Sequence, residues 1–216
     1  MVRLLEGSAL GRVLALGAHP DDIELGAGGL LARLARAGAR VVMAVASVPG
    51  PTPAHVEERY AEAKRAAELI GAQLILVCGL EPVRVEDVPM HKLVGKLDSI
   101  VADERPQLVL THSVRDVHFD HQLVHHATVS ALRRTPCDLL AFTSTPELNA
   151  SSNYLGECFA DITDTLEVKL AAVAAHASQV AKKSVDVESC RDLARALGRI
   201  GGMQYAEAYE VKRLRI

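Results

Sequence analysis

Short runs of β-branched and other apolar residues alternate along the first two thirds of the chain with longer stretches in which apolar residues recur at helical spacing. Fully apolar runs of this length are typical of parallel strands buried on both faces. The predicted strands are Val13–Gly17, Arg40–Ser47, Gln73–Cys78, Gln107–His112 and Asp138–Thr143. The predicted helices between them are Leu25–Ala37, His55–Ile70, His91–Asp103 and Gln122–Arg133. This alternation predicts an α/β, Rossmann-like three-layer fold with a mostly parallel sheet.

The pattern changes after Ser144. The segment Thr145–Asn153 is polar and rich in turn-forming residues. Two helices are predicted after it, at Thr163–Ala181 and Val187–Leu197, and a last strand at Ala208–Arg215. No repeat, low-complexity tract or long linker divides the chain, so residues 1–216 are expected to form a single domain with a C-terminal helical elaboration.

Composition and charge narrow the functional class. Hydrophobic residues make up 49% and charged residues 24% of the 216 residues, which is ordinary for a globular protein. The net charge of -3 lacks the basic excess of a protein that binds a phosphate backbone. No apolar run approaches the roughly 20 residues of a membrane span. The four cysteines lie far apart, which predicts free thiols. We therefore expect a cytoplasmic protein with neither nucleic-acid nor membrane partners.

Candidate chemistry begins directly after the first predicted strand, at the edge where parallel α/β sheets bind ligands. His19 and Asp22 are three residues apart, close enough to converge on one ion in a tight turn. Pro20 fixes the backbone between them and leaves Asp21 free to point elsewhere. The alternative is that Asp21 or Asp22 only caps the helix that starts near Leu25.

A second polar cluster follows the fourth predicted strand. The ten residues His112–His121 hold three histidines and two aspartates ahead of an apolar helix, where they have little structural use. His118 and His121 are again three residues apart, with Asp120 between them. One imidazole could therefore bind a metal while another is held by a carboxylate.

The two clusters together predict a metal site. His19, Asp22 and His121 would form a site of two histidines and one carboxylate with an open position for water, which is typical of a catalytic metal. Zinc is the first choice, and ferrous iron stays open because it accepts the same ligands. Three further histidines receive no role in this site: His125, His126 and His176.

The residues of both clusters resemble a known family. Ala18-His19-Pro20-Asp21-Asp22 with the later His118-x-Asp120-His121 is similar to the LmbE/PIG-L superfamily of metal-dependent N-acetylglucosamine de-N-acetylases. Further similar segments are Arg59-x-x-Glu62, Asp161-Ile162-Thr163 with Lys169, and His176-x-Ser178-Gln179. The tail Gly202–Tyr209 resembles the bacillithiol-biosynthesis deacetylase branch, where the last aromatic is usually Phe. The resemblance spans nearly the whole chain.

This resemblance implies specific roles. The implied metal ligands are His19, Asp22 and His121, the general base is Asp21, and the oxyanion is stabilised by a protonated His118 held by Asp120. Arg59 and Tyr205 are implied to bind the substrate. The implied reaction is zinc-dependent removal of the acetyl group from an N-acetylglucosamine conjugate, with N-acetylglucosaminyl-malate of bacillithiol biosynthesis as the first candidate. The resemblance also suggests a homo-oligomer such as a hexamer.

Two alternatives to this hypothesis remain. The segment Asp116-x-His118-x-Asp120-His121 is close to the H-x-H-x-D-H signature of metallo-β-lactamase-fold hydrolases. Its first residue is Asp, however, and the early alternation of strands and helices disfavours that fold. The other alternative is a non-catalytic homologue that binds metal or sugar. Intact Asp21 and His118 disfavour it, because a binding module needs neither a base nor an oxyanion donor.

Overall fold

The computed structural model of the protein describes residues 11–144 and 156–215. The strands in these ranges are β1 (Arg12–Gly17), β2 (Arg40–Val45), β3 (Gln73–Leu76), β4 (Leu108–His112), β5 (Asp138–Phe142), β6 (Cys158–Asp161) and β7 (Ala206–Arg213). The α-helices are α1 (Asp22–Arg36), α2 (Pro53–Ile70), α3 (Met90–Glu104), α4 (Phe119–Ala131), α5 (Leu166–Ala174), α6 (Ala177–Ala181) and α7 (Val187–Gly201). Short 3₁₀ helices lie at Val85–Asp87, Leu132–Arg134 and Thr163–Thr165.

The described strands form one sheet in the order β3-β2-β1-β4-β5-β7-β6. Strands β1 to β5 pair in parallel, and β7 runs antiparallel to both β5 and β6. The predicted α/β fold with a mostly parallel sheet is therefore confirmed, and it is incompatible with the metallo-β-lactamase alternative. The chain leaves β1 towards β2 on one side and later returns as β4 on the other. The carboxyl ends of β1 and β4 thus lie side by side, where open α/β sheets bind ligands.

Helices cover both faces of the sheet, as the apolar strands predict. Successive side chains of a strand point to opposite faces. Val13 and Ala15 of β1 pack into a core with α1, α2 and α5. Leu14 and Leu16 of the same strand pack into a second core with α3 and α4. A third, smaller core joins α5 and α7 in the C-terminal elaboration.

Helices α1 and α4 each begin three residues earlier than predicted, at Asp22 and Phe119. The prediction placed their starts at Leu25 and Gln122, because apolar periodicity does not reveal a polar first turn. This difference matters for function, because it places Asp22 and His121 in the first turns of two helices that start at the ligand-binding edge of the sheet.

The C-terminal elements differ more from the prediction. The single helix predicted at Thr163–Ala181 is wrong, because α5 ends at Ala174 and α6 begins at Ala177. His176 between them leaves the helical conformation (φ −80°, ψ 57°). Strand β6 was not predicted, and β7 begins two residues before the predicted strand. The predicted turn at Thr145–Asn153 lies outside the described residues.

A buried ion pair is inserted into α1. In a regular α-helix the Gly29 N–H would donate to the Leu25 carbonyl. Here Lys169 Nζ donates to the Leu25 carbonyl at 2.6 Å and lies 2.6 Å from Glu207 Oε1. Glu207 accepts the backbone N–H groups of Gly29 and Leu30, each at 2.8 Å. The pair thus ties α1 to α5 and β7.

Candidate active site

The loop after β1 holds Asp21 in an uncommon conformation. Its φ is 99°, in the left-handed region that a non-glycine residue adopts at an expense of about 1–3 kcal/mol. Asp21 occupies the N-cap position of α1, but its side chain makes no capping hydrogen bond. Asp22 Oδ2 instead accepts the His19 backbone N–H at 2.7 Å, which closes the turn. The Asp21 carboxylate is therefore not used as a helix cap.

The start of α4 holds the second cluster. His118 is the N-cap of the helix, and its Nδ1 accepts the Asp120 backbone N–H at 3.2 Å. His121 lies in the following turn, and its ring stacks on that of His118 with centroids 4.5 Å apart. An Nδ1 that accepts a hydrogen bond leaves the proton of a neutral imidazole on Nε2. His118 can therefore donate from Nε2 even when it carries no charge.

The two clusters meet at the carboxyl ends of β1 and β4. His121 Nε2 lies 3.2 Å from Asp22 Oδ1, and His19 Nδ1 lies 3.6 Å from Asp22 Oδ2. Ligand atoms bound about 2.0–2.1 Å from a tetrahedral zinc ion lie about 3.3 Å from one another. Asp22 therefore lies close to both histidines, whose ring centroids are 5.9 Å apart, and a metal ion shared by these three residues stays a prediction.

In both His19 and His121, the ring nitrogen that faces away from Asp22 contacts another carboxylate. Asp116 Oδ2 lies 3.1 Å from His121 Nδ1, and Asp120 Oδ2 lies 2.9 Å from His19 Nε2. Metal-ligating histidines commonly have such a carboxylate, which fixes the ring and its tautomer. The expected contact of Asp120 with His118 is different in the structure, since the Asp120 carboxylate lies on His19. Sequence reasoning also missed the role of Asp116, whose only signal was its place among the clustered histidines.

His112 is the other group that sequence reasoning left without a role. It is fully buried, its ring stacks on His121 with centroids 3.9 Å apart, and its Nε2 lies 3.3 Å from Asp22 Oδ2. Two sets of groups could hold a metal here: Asp22, His112 and His121, or His19, His118 and His121. His112 Nε2 already accepts the Ala18 backbone N–H at 3.0 Å, so this lone pair is not free for a metal. Its backbone carbonyl lies 2.7 Å from His125 Nδ1, so the buried His125 supports the site from behind.

The two neighbouring aspartates, Asp21 and Asp22, have very different pKa values. Burial and the charge of Asp22 raise the pKa of Asp21 to about 7, against the opposing effect of Arg59. The pKa of Asp22 lies well below its ordinary value. Burial alone would raise this pKa, but the combined effect of His121 and His112 outweighs burial and lowers it. Two adjacent carboxyl groups with separated pKa values are a pattern that marks acid–base sites.

The histidines His112, His118 and His121 also differ in pKa. Burial, with His121, lowers the pKa of His112 to about 4, so this ring is neutral. Burial would also lower the pKa of His121, but Asp22 and Asp116 together raise it to about 10. Burial and the neighbouring His121 and His19 lower the pKa of His118. The expectation of a cationic His118 is therefore not supported, and a neutral donor fits its surroundings better.

The two residues implied to bind substrate lie in different places. Arg59 of α2 is buried with 7% exposure, donates to the Pro20 carbonyl at 3.0 Å and lies 3.5 Å from Asp21 Oδ2. Tyr205 packs against the third core, with the Arg195 guanidinium 5.8 Å from its ring centroid. Within the described residues, no hydrogen bond, ion pair or ring contact joins Tyr205 to the metal-site side chains. Its role in substrate binding stays a prediction.

Known proteins are similar to this chain in sequence or in fold. An uncharacterized deacetylase, YaiS, of Escherichia coli K12 is 28% identical over 172 residues, covering 77% of this chain and 90% of its own. Diacetylchitobiose deacetylase of Thermococcus kodakarensis is 26% identical, covering 91% of this chain and 81% of its own. The structure of the hydratase GalB from Pseudomonas putida KT2440 has the same fold at 23% identity, with a TM-score of 0.77 and 95% and 98% of the two chains covered.

A family model described as PIG-L, GlcNAc-PI de-N-acetylase, matches residues 14–132. The matched segment is more than half of the chain and contains most of β1, all of β4 and the first turns of α1 and α4. Both polar clusters therefore lie inside it. The chain therefore belongs to the PIG-L family of de-N-acetylases.

Proposed function

We propose that the chain is a metal-dependent deacetylase that removes the acetyl group from an N-acetylglucosamine conjugate by hydrolysis of the amide bond. Family membership makes it a deacetylase of N-acetylglucosamine-type substrates. The observation that carries the metal-dependent mechanism is the proximity of Asp22 to both His19 and His121, next to the half-buried Asp21. Zinc is the proposed metal, because two imidazoles and a carboxylate form its usual catalytic ligand set, and ferrous iron is the alternative.

The proposed ligand atoms are His19 Nδ1, an Asp22 carboxylate oxygen and His121 Nε2. When bound, such a metal polarises a carbonyl group and makes a water molecule more acidic. Asp120 and Asp116 hold the two imidazole rings in position, because each carboxylate contacts the nitrogen that faces away from the proposed metal. Their proposed function is to fix the direction of the ligand lone pairs.

Asp21 is the proposed general base. Its carboxylate would take a proton from the attacking water and give it to the departing amine nitrogen, so that acetate and a free amino sugar are released. A base works best when its pKa lies near the working pH, and the pKa of Asp21 is about 7. Asp21 makes no capping hydrogen bond, and its Oδ2 lies 3.5 Å from the Arg59 guanidinium, which would hold the carboxylate during this exchange.

His118 is the proposed oxyanion donor. Because its Nδ1 accepts the Asp120 backbone N–H, its Nε2–H can point at the oxygen that gains charge during attack on the amide carbonyl. This assignment needs no positive charge on the ring, in contrast to the cationic His118 expected from the sequence.

The proposal extends to the aglycone, the group attached to the N-acetylglucosamine unit. The resemblance of the tail Gly202–Tyr209 to the bacillithiol branch favours N-acetylglucosaminyl-malate over other conjugates. Arg59 is the proposed contact for an anionic or hydroxyl group of the substrate, because its guanidinium lies directly beside Asp21. Tyr205 is the second proposed substrate contact, on the resemblance alone.

The partners, cellular location and oligomeric state of the enzyme are also part of the proposal. The described residues contain no helix long and apolar enough to cross a membrane. The net charge of -3 favours a small amino-sugar conjugate over nucleic acid as the partner. We further propose a cytoplasmic homo-oligomer such as a hexamer, which light scattering on the purified protein would test.

The decisive experiment measures amine and acetate release from three substrates: N-acetylglucosaminyl-malate, N-acetylglucosamine and diacetylchitobiose. The protein is stripped of metal and reloaded with zinc, or with ferrous iron under exclusion of oxygen. We expect release only after metal is restored, and fastest from the malate conjugate. Equal rates without metal would overturn the proposed mechanism, and preference for diacetylchitobiose would overturn the proposed aglycone. Asp21→Asn serves as the matched control for contaminating activity.

A further inference from the structure

A buried pair outside the reacting groups lies behind Asp21. His176 Nε2 is 3.0 Å from Glu24 Oε1, and the two residues are 152 positions apart in the chain. His176 has no exposed surface, and Glu24 has 1%. Neither residue is a proposed metal ligand, base or oxyanion donor. The contact joins the first turn of α1, which follows the base, to the break between α5 and α6.

The segment that carries His176 is itself fixed by α2. Glu62 Oε1 accepts the Ser178 backbone N–H at 2.6 Å, and Glu62 Oε2 accepts the Ser178 hydroxyl at 2.7 Å. One helical turn earlier, Arg59 donates to the Pro20 carbonyl at 3.0 Å. A single helix face therefore holds both the residue before Asp21 and the turn that presents His176.

The pair is poorly satisfied for a purely structural contact. Within residues 11–144 and 156–215, Glu24 Oε2 and His176 Nδ1 are buried and have no hydrogen-bond partner. An unsatisfied buried polar atom costs about 1–3 kcal/mol, and apolar residues of similar volume often replace a buried polar pair with no loss of stability. Retention of such a pair next to a strained base indicates a function in the site.

A backbone hydrogen bond connects Asp21 to the helical turn that contains Glu24. The Asp21 carbonyl accepts the Leu25 N–H at 2.9 Å, so the position of Asp21 depends on the first turn of α1. Glu24 lies in that turn. Asp21 also keeps a φ of 99°, which persists only if the surrounding contacts hold it there. Burial and Asp22 raise the pKa of Asp21 while Arg59 and His176 lower it, so His176 lies within electrostatic range.

We propose that His176, held by Glu24, is a positioning residue for Asp21: it anchors the first turn of α1 and so keeps the Asp21 carboxylate in its strained, productive orientation. This role rests on the proposed function, because it assigns Asp21 as the base. His176 itself touches no reacting atom. Its removal should therefore lower turnover while substrate affinity and metal content stay nearly unchanged.

The test compares His176→Leu, which loses the contact with Glu24, with His176→Gln, whose amide can still donate to Glu24. Misplacement of a catalytic group by about 1 Å can lower the rate about 100-fold, so we expect a fall in kcat of about that size in His176→Leu. KM should change little, and His176→Gln should recover most of the loss. Thr165→Val is the matched control, because it removes another buried hydrogen bond to α1, from Thr165 Oγ1 to the Gly29 carbonyl at 2.8 Å.

Several results would overturn the inference. An unchanged kcat in His176→Leu, or an equal loss in Thr165→Val, would show that the pair is not specific for the base. Failure of His176→Gln to recover activity at an unchanged melting temperature would do the same. Crystal structures of the wild type and His176→Leu give a readout that does not depend on activity: the Asp21 carboxylate should move in the variant, and an unmoved Asp21 contradicts the role. Lack of activity in the metal-loaded wild type would instead count against the proposed function.

Discussion

Two buried groups of charged residues flank helix α1, and they differ in how completely their polar atoms are paired. In the first group, Glu207 accepts hydrogen bonds from Lys169, Tyr209 and two backbone N–H groups of α1. The second group lies at the N-terminal end of the helix, around Asp21 and the metal-site residues. Among the described residues, the buried side-chain atoms without a hydrogen-bond partner all belong to this second group: Glu24 Oε2, Arg59 Nε, His112 Nδ1 and His176 Nδ1.

The contrast separates a structural role from a functional one. A fully paired buried ion pair stabilises one packing arrangement, because removal of either partner leaves an uncompensated charge. Unpaired polar atoms lower stability and persist where the site needs its groups for another purpose. We therefore expect substitutions in the first group to act on stability and substitutions in the second group to act on turnover.

The largest effect is expected from the base. Asp21→Asn removes the proton acceptor while keeping the size of the side chain, so kcat should fall by about 10²–10⁴. The bound metal, measured by elemental analysis, should stay at the wild-type level, because the proposed ligands are intact. A variant with wild-type turnover would remove Asp21 from the role of base. Loss of metal would mean that Asp21 helps to hold the ion.

The next effect tests the structural group. Glu207→Leu leaves the Lys169 ammonium buried without its counter-charge and two α1 N–H groups without an acceptor. Breaking a buried pair in this way costs about 3–5 kcal/mol, so the free energy of unfolding measured in urea should fall by this amount. The kcat per folded molecule should change little. Arg191→Met, which breaks an exposed ion pair with Glu167, is the control and should leave the urea midpoint nearly unchanged. A large loss of kcat at full folding in Glu207→Leu would break the proposed division.

A smaller effect is expected from the carboxylate behind His121. Asp116→Asn keeps a hydrogen-bond acceptor near His121 Nδ1 but removes its charge, and loss of such an orienting partner lowers metal affinity about 10–100-fold. Competition with a chromophoric chelator measures this affinity directly. Asp98→Asn, at an exposed ion pair with Arg133, is the matched control. Equal affinities in Asp116→Asn and the wild type would show that His121 needs no carboxylate to bind the ion.

The sequence predicted the parts of the molecule that depend on local pattern. Residues such as Leu14 and Ala15 are buried on opposite faces of β1, so the apolar run that revealed the strand also revealed the three layers. The spacing of three between His19 and Asp22 predicted that the two side chains converge, and His19 Nδ1 lies 3.6 Å from Asp22 Oδ2. The parts that were missed depend on partners far away in the chain. Asp120 was assigned to its neighbour His118 but lies on His19, 101 residues away.

The break in the C-terminal helix has the same origin. The chain leaves the helix where His176 contacts Glu24 and where Glu62 accepts the Ser178 backbone N–H, and both partners are distant in the sequence. Strand β6 is four residues long and pairs with β7, which follows more than 40 residues later. Long-range polar contacts of this kind cannot be deduced from periodicity.

The smallest expected effect concerns the pH dependence of the Glu24–His176 pair. Burial would lower the pKa of His176, but Glu24, with Asp21 and Glu62 facing the same ring, raises it above its ordinary value. A group whose folded pKa is raised stabilises the folded state fully below the unfolded pKa of about 6.5, and this contribution is lost as the pH rises through the folded value. His176→Gln should therefore lower the free energy of unfolding more at pH 6 than at pH 9. Urea unfolding of the metal-free protein at both pH values measures this, with the exposed His126→Gln as control. An equal loss of unfolding free energy at both pH values would mean that packing and a neutral hydrogen bond hold the Glu24–His176 pair. The two buried groups would then differ in their unpaired polar atoms and not in the pH dependence of their stability.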